Sequence, residues 1–191
     1  MVAPKKKESN EPSNNTAPVG SRQPNGGSKM NVDLNQFCDP TQREPGRDVS
    51  VPFSLNGHTY ATNGHIAVRI PRRADIPENK EAPNVEKLPW DFSRIKFAPL
   101  LEPKLLPDKC WHCDGTGYQH KCPDCRCVCE HCNGTGKFPP RVLIGKVIFS
   151  GRYIELIQTL PELEIGKPKP APAPLPFRFK GGDGLLMPMG H

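Results

Sequence analysis

Alternation is the dominant signal in the middle of the chain. Val49, Val51, Phe53 and Leu55 occupy every second position between small or polar residues, the period of a half-buried β-strand. Asn56-Gly57 follows, then His58–Thr62, then Asn63-Gly64, and then Ile66, Val68 and Ile70 in alternation again. Asn-Gly supplies the two positive φ angles of a type I′ hairpin turn. The stretch 49–70 therefore predicts a three-stranded antiparallel meander. Toward the C-terminus, Val142–Phe149 is apolar and β-branched enough for a strand, and Ser150 is placed to cap a helix. Tyr153, Leu156, Ile157 and Leu160 then recur at helical spacing until Pro161 stops the run. Lys167–Pro174 is a stiff Pro-rich stretch. Leu175, Phe177 and Phe179 alternate into a strand, Gly181-Gly182-Asp183-Gly184 turns it, and Leu185-Leu186-Met187 begins the last strand.

Elsewhere the pattern fails. Pro71–Pro107 is polar and broken by Pro77, Pro83, Pro89, Pro99 and Pro103. It reads as an extended connector whose segment Trp90, Phe92, Ile95, Phe97 and Leu100 packs onto a neighbour, since aromatics this dense would be a liability if exposed. Residues 1–48 carry Lys5-Lys6-Lys7, an Asn/Ser/Pro mixture and Gly26-Gly27-Ser28 without an apolar period, and read as a mostly disordered arm with Cys38 a bystander thiol. The organisation expected is an arm over 1–48, the meander and connector over 49–107, a cysteine module over 108–137, and β-α-β-β over 138–191. The fold class is α+β: a small antiparallel sheet with one helix, interrupted by the cysteine module. With arm and connector set aside, about a hundred residues remain to bury a core, which is marginal for a domain.

Length and composition narrow the class. A chain of 191 residues permits one domain, or one with a small accessory module. The 35% hydrophobic fraction rises to about 42% when glycine is counted and tyrosine set aside, close to the globular range. The departures are 24 prolines and 8 cysteines. No run approaches the ~18 apolar residues of a membrane span, and no apolar run follows the charged start Met1–Lys7, so no secretory leader is expected. In the reducing cytoplasm this implies, clustered cysteines serve metal or catalysis rather than disulfides. The formal charge is +6, but thiolates on a metal lower it, so charge alone does not make a nucleic-acid binder.

Seven cysteines fall between Cys110 and Cys132. Cys110-Trp-His-Cys113-Asp-Gly-Thr-Gly117 and Cys129-Glu-His-Cys132-Asn-Gly-Thr-Gly136 are two copies of one C-x-x-C-x-G-x-G unit, with Cys122-Pro-Asp-Cys125-Arg-Cys127 between them. A C-x-x-C turn places two thiolates on one side of a tight loop, about 2.3 Å from a shared ion, and two such knuckles complete a tetrahedral site. The flanking glycines let backbone N–H groups turn toward sulfur. Full thiolate ligation leaves no open position for a reactive water. No H-E-x-x-H, deaminase or phosphate-loop pattern occurs, so no catalytic residues and no small-molecule substrate are expected.

The repeated unit resembles the zinc-binding central region of the DnaJ co-chaperones, in which outer repeats share one zinc and inner repeats another. The resemblance pairs Cys110 and Cys113 with Cys129 and Cys132. A second zinc would draw on Cys122, Cys125 and Cys127, with His120 the nearest fourth ligand; here the inner pair departs from the family by lacking the following G-x-G. One Zn2+ is expected, or two if the inner group also binds. His112 and His131 lie inside the knuckles and are expected to face solvent. No His-Pro-Asp tripeptide occurs, so chaperone function does not follow.

Two further segments resemble the bacterial sliding clamps, the β subunit of DNA polymerase III. Tyr60-Ala61-Thr62-Asn63-Gly64-His65-Ile66-Ala67-Val68 is similar to the clamp's T-D-G-H-R-L-A, and Gly184-Leu185-Leu186-Met187-Pro188-Met189 to its C-terminal M-P-M-R-L. Ile66 stands where the family has Arg, and Gly190-His191 replaces its final Arg-Leu. In clamps these segments line the pocket that takes linear motifs of polymerases. The resemblance therefore implies Thr62, Gly64, His65, Leu186, Met187, Pro188 and Met189 as partner-binding residues. It implies a non-enzymatic, zinc-binding interaction module of DNA replication or repair, of the sort phages encode, acting in the host cytoplasm on a protein partner, with DNA as a further partner. Two other readings stand beside it: an inhibitor that occupies a host nucleic-acid machine or defence complex, and a DnaJ-like module that binds nucleic acid or unfolded protein.

Overall fold

The computed structural model describes residues 32–43, 48–80, 83–119 and 127–190, all within the compact unit Asn31–His191. The lysine run at 5–7 and the ligand candidates His120, Cys122 and Cys125 lie outside the described residues. In chain order the elements are a 3-10 helix at Leu34–Phe37, strands β1 (Phe53–Leu55), β2 (His58–Thr62) and β3 (Ile66–Pro71), and a second 3-10 helix at Val85–Lys87. Then follow β4 (Phe97–Pro99), β5 (Lys104–Leu106), β6 (Arg141–Ile144), β7 (Val147–Ser150), helix α1 (Gly151–Gln158), β8 (Glu164–Gly166), β9 (Leu175–Phe179) and β10 (Gly182–Leu186). Seven strands make one sheet in the order β1-β2-β3-β10-β9-β8-β4, and β5-β6-β7 make a second. Every named pairing is antiparallel. The class is α+β, sheet-rich, with a single α-helix among the described residues. No helix there is long and apolar enough to cross a membrane.

The expected meander is present as β1-β2-β3, but its two turns differ. Asn56 and Gly57 both take positive φ (44° and 80°), the type I′ geometry. In the second turn only Gly64 does (86°). The Asn63 side chain instead accepts from the backbone N–H of His65 at 3.0 Å and of Ile66 at 3.1 Å, making a wider, side-chain-closed loop. The stretch Val142–Phe149, expected as one strand, is a hairpin, β6-β7, because Gly145 turns the chain at φ 62°. Ser150 precedes the helix as expected but makes no side-chain cap bond; the helix start is held by Gly151 N–H donating to Pro140 O at 2.7 Å. The Pro-rich connector contributes real strands: β4 closes one edge of the large sheet on β8, and β5 pairs β6.

Period-two alternation sorts the large sheet into two faces. On one, Ala61, Val68, Phe177, Leu175 and Leu186 meet Ile154 and Ile157 of α1 and Val142 and Phe149 of the small sheet. Leu34 and Phe37 complete this core at 2% and 0% exposure. The arm expected over 1–48 is thus corrected at 34–37: two apolar residues in a single 3-10 turn have no period to reveal them, yet they fill the core. An eight-residue helix is too short to persist by itself, so α1 owes its stability to these contacts.

On the opposite face one row of side chains runs in register across all seven strands: Phe53, Tyr60, Arg69, Asp183, Arg178, Glu164 and Pro99. Arg69 pairs with Asp183 at 3.0 Å and Arg178 with Glu164 at 2.6 Å. The guanidiniums lie 4.6 Å from the ring centroid of Trp90 and 4.7 Å from that of Phe97, respectively. The apolar connector segment therefore covers the charged row. Trp90 joins Phe53, Tyr60, Val85 and Leu88 in a second small core.

Phe37→Ala is expected to cost about 3–5 kcal/mol by leaving a cavity between the sheet and the covering elements. Urea denaturation checks this; a loss below about 1 kcal/mol would mean that Phe37 is not part of the core.

Candidate metal centre and apolar groove

The cysteine module is an excursion between the paired strands β5 and β6. Its neck continues that pairing through a bridge between Lys109 and Lys137, and Arg141 donates to Pro107 O at 2.9 Å. Beyond the neck the two C-x-x-C-x-G-x-G copies fold alike. Gly115 N–H donates to Cys110 O, and Gly134 N–H to Cys129 O, both at 3.1 Å. Thr116 N–H reaches Cys113 O, and Thr135 N–H reaches Cys132 O, both at 3.0 Å. Gly117 and Gly136 each aim an N–H at a sulfur, Cys113 Sγ and Cys132 Sγ, at 3.3 Å. The copies also brace one another, since Cys110 N–H donates to Gly136 O and Cys129 N–H to Gly117 O, both at 2.9 Å.

This braced frame buries Cys110, Cys113, Cys129 and Cys132 with all four sulfurs within 4.8 Å of one another. Cys110 and Cys129 sulfurs are 4.0 Å apart, and those of Cys113 and Cys132 3.7 Å apart. A disulfide needs about 2.05 Å, whereas the corners of a tetrahedron with 2.3 Å metal–sulfur bonds are roughly 3.8 Å apart. The sulfurs thus stand at the spacing of a four-thiolate metal site and can hold one ion. Burial works against a Cys113 thiolate, but N–H groups of Gly117 and Gly115 and the adjoining thiols bring it down to about 6. Burial pushes the Cys129 thiol up to about 11. The surroundings thus favour the thiolate at Cys113 and the protonated thiol at Cys129.

Among the described residues, the two other cysteines stand apart. Cys127 is exposed and outside the cluster, its carbonyl accepting from Gln119 N–H at 2.8 Å. Cys38 packs against the main core, where burial raises its thiol to about 11. His112 and His131 are exposed.

A second feature is a groove of about 220 Å³ on the charged-row face of the large sheet, one row nearer the β2–β3 turn. Its floor is Thr62, Ala67 and Leu185, which are mutual neighbours across β2, β3 and β10. Its wall is the segment around the second 3-10 helix, with Val85 and Leu88 facing in, and Trp90 holds that wall by donating from Nε1 to Val85 O at 2.6 Å. Gly64, His65 and Met187 form the rim, Met187 N–H donating to His65 O at 2.8 Å. The rim is anchored to α1, where Tyr153 stacks on His65 at 5.9 Å and its hydroxyl accepts from Asn63 at 3.2 Å. Of the seven partner-binding candidates, Thr62, Gly64, His65 and Met187 come together here. Leu186 points the other way, into the core at 0% exposure, as alternation along β10 requires. Pro188 and Met189 do not line the groove; Met189 N–H pairs with Ile148 O at 2.9 Å on the edge of β7. Among the lining residues that sequence reasoning missed are Ala67 and Leu185 of the floor and Val85 and Leu88 of the wall. Ala67 and Leu185 had a signal, as the alternates of Val68 and Leu186.

Gly117→Ala or Gly136→Ala is expected to weaken metal binding at least about tenfold. Both positions have φ above +70°, and an added Cβ would enter the backbone of the other knuckle. Gly190→Ala, whose Cβ would meet nothing, leaves affinity unchanged. Competition with a chromophoric chelator measures both. The same titration across pH should show affinity rising by about one decade per pH unit for each proton released. With Cys129 raised to about 11 and Cys113 lowered to about 6, at least one proton leaves near pH 7. The slope steepens below about 6, where Cys113 also protonates. A pH-independent affinity would contradict the thiol assignment.

No protein-family model, curated protein or solved structure matches the chain.

Proposed function

We propose that the chain is a non-enzymatic protein-interaction module, stapled by one zinc ion, that takes an apolar anchor of a partner protein in the groove beside the β2–β3 turn. The groove is the observation that carries this reading. Thr62 Oγ1 donates to Ile66 O at 2.7 Å, while the backbone groups at the rim are taken up by Asn63 and Met187. A polar ligand group finds little to pair with there. An apolar side chain instead exchanges water for Val85, Leu88, Leu185 and an adaptable Met187. A cavity of about 150 Å³ holds a benzene, so about 220 Å³ suits one aromatic or aliphatic anchor with room for part of a second.

The resemblance of Thr62–His65 and Leu186–Met189 to the sliding-clamp pocket points to a polymerase-type linear peptide with Leu and Phe anchors, and so to DNA replication or repair machinery. Zinc suits an all-sulfur site of tetrahedral spacing. Bound there it supplies a cross-link between the knuckles, and its four thiolates leave no position for a reacting water, in keeping with a non-enzymatic role. The groove and the zinc site use separate residues, so recognition does not pass through the metal.

Metal analysis of the purified chain should find about one zinc per molecule, lost in Cys110→Ser and Cys132→Ser and kept in Cys38→Ser. Calorimetric titration with a clamp-binding peptide should give an affinity on the order of micromolar. His65→Ala and Met187→Ala should each weaken it several-fold with zinc content and melting temperature unchanged. Absence of saturable binding to the intact protein would overturn the pocket reading and favour an inhibitor acting by surface mimicry.

A further inference from the structure

The knuckles present a second surface at the opposite extreme of the chain's chemistry. The two residues between the paired cysteines are Trp111 and His112 in one copy and Glu130 and His131 in the other. The rings converge: His112 and His131 have centroids 4.0 Å apart, and Trp111 lies 5.6 Å from the first and 5.4 Å from the second. All three are exposed, Trp111 to 71%. Among the described residues no hydrogen bond holds the indole or either imidazole. Trp is the residue type most enriched where binding energy concentrates, and this cluster rests on a frame fixed by the four cysteines below it.

We propose that this tip docks a protein segment presenting arginine beside an apolar side chain. Exposed stacked rings also suit unpaired nucleobases, but such sites work together with a cationic track for the phosphates. Among the described residues of the knuckles no such track is formed. The four acidic residues of 108–137 balance its four basic ones, so four thiolates around a divalent ion leave the module with two negative charges. Lys109 and Lys137, on the neck, are engaged by Asp114 at 2.6 Å and Asp108 at 3.5 Å. A phosphate chain meets repulsion at such a surface. A guanidinium stacks on indole and imidazole faces and is drawn by the same charge, while an adjoining aliphatic side chain covers the remaining face of Trp111. The charge part of this argument rests on the zinc reading, which metal analysis tests separately; the tip shares no residue with the groove.

The test uses the zinc-loaded full chain and three probes: a short synthetic peptide with a leucine between two arginines, its Arg→Gln counterpart, and an oligothymidylate. Calorimetry should show saturable binding of the arginine peptide only, weakened by salt. Trp111→Ala should reduce it at least about tenfold and Trp111→Phe no more than about threefold. His65→Ala and Met187→Ala in the groove should leave it unchanged, which separates this site from the groove. Glu130→Gln, at the position equivalent to Trp111, should cost about threefold, and it carries the test if Trp111→Ala loses zinc. No saturable binding of the arginine peptide, equal binding of its glutamine counterpart, or tighter binding of the oligothymidylate would overturn the proposal.

Discussion

Arg69 ties the groove to the sheet. Its guanidinium pairs with Asp183 on the neighbouring strand at 3.0 Å, donates to Trp90 O at 3.2 Å, and lies under the Trp90 ring. At 20% side-chain exposure it is neither a free surface charge nor a buried one, so its partners matter more than those of an exposed pair. The pairing joins β3 to β10, the two strands that meet at the centre of the sheet. The contacts with Trp90 fix a connector that has almost no regular structure. Because Trp90 in turn holds the Val85–Leu88 segment, the groove wall depends on a side chain of β3, the strand that also gives the floor its Ala67. The groove is thus pre-formed by an electrostatic contact although its own lining is apolar, which limits the ordering cost when an anchor enters.

The cysteine module follows a different constraint. Among the described residues its buried cluster is Cys110, Cys113, Cys129 and Cys132 with Phe138 packed beside them, too little apolar surface to offset the ordering of the two knuckles. The backbone bonds that brace the two knuckles direct N–H groups at sulfur and at carbonyls across the site, a geometry whose purpose is to hold negative charge in place. The two parts of the molecule meet at a narrow neck, where Arg141 spans from Pro107 O to the Phe138 ring at 5.0 Å. Beyond that neck the sheet core stands on Phe37, Phe149, Phe177 and their neighbours and includes none of the four clustered cysteines.

What could be read from the sequence followed the physics of each part. The knuckles were legible because a four-thiolate site demands a fixed local spacing and glycines at fixed offsets, so the ligands announce themselves in 27 consecutive positions. Strands β3 and β9 were legible because Ile66, Val68 and Ile70, and Leu175, Phe177 and Phe179, recur at every second position toward the main core. Strand β2 was legible from the Asn-Gly turns that bracket it, and β10 only from Leu185 on, although the strand begins at Gly182. Leu34 and Phe37 were not, since their burial depends on an opening left by distant elements, and a single turn leaves no periodic trace. The hairpin β6-β7 was hidden in a continuous apolar run in which only Gly145 marks the turn. Leu186 was assigned to the wrong face as a groove candidate because a short terminal motif carries no phase; the register of β10 on β3, with Leu186 opposite Ile66, decides it. The groove wall at Val85 and Leu88 lay in a Pro-rich stretch whose local pattern says only that it is extended.

These two constraints also account for the separation of the groove from the exposed rings. A groove floor needs strands whose register cannot slip, and the central strands satisfy this because a one-residue shift would expose Val68, Leu186 and Phe177 to water. An exposed aromatic tip needs the reverse, a scaffold with no apolar core of its own into which Trp111 could collapse. A four-cysteine site able to hold an ion fits this, because its frame is set by N–H groups aimed at sulfur rather than by packing. Placing Trp111 at 71% exposure on a conventional hydrophobic core would invite it inward; on the knuckles there is no interior for it to enter. Such a frame makes a surface of exposed rings compatible with a single folded state, while the sheet, built on its own core, keeps an apolar groove open beside strands whose register is fixed.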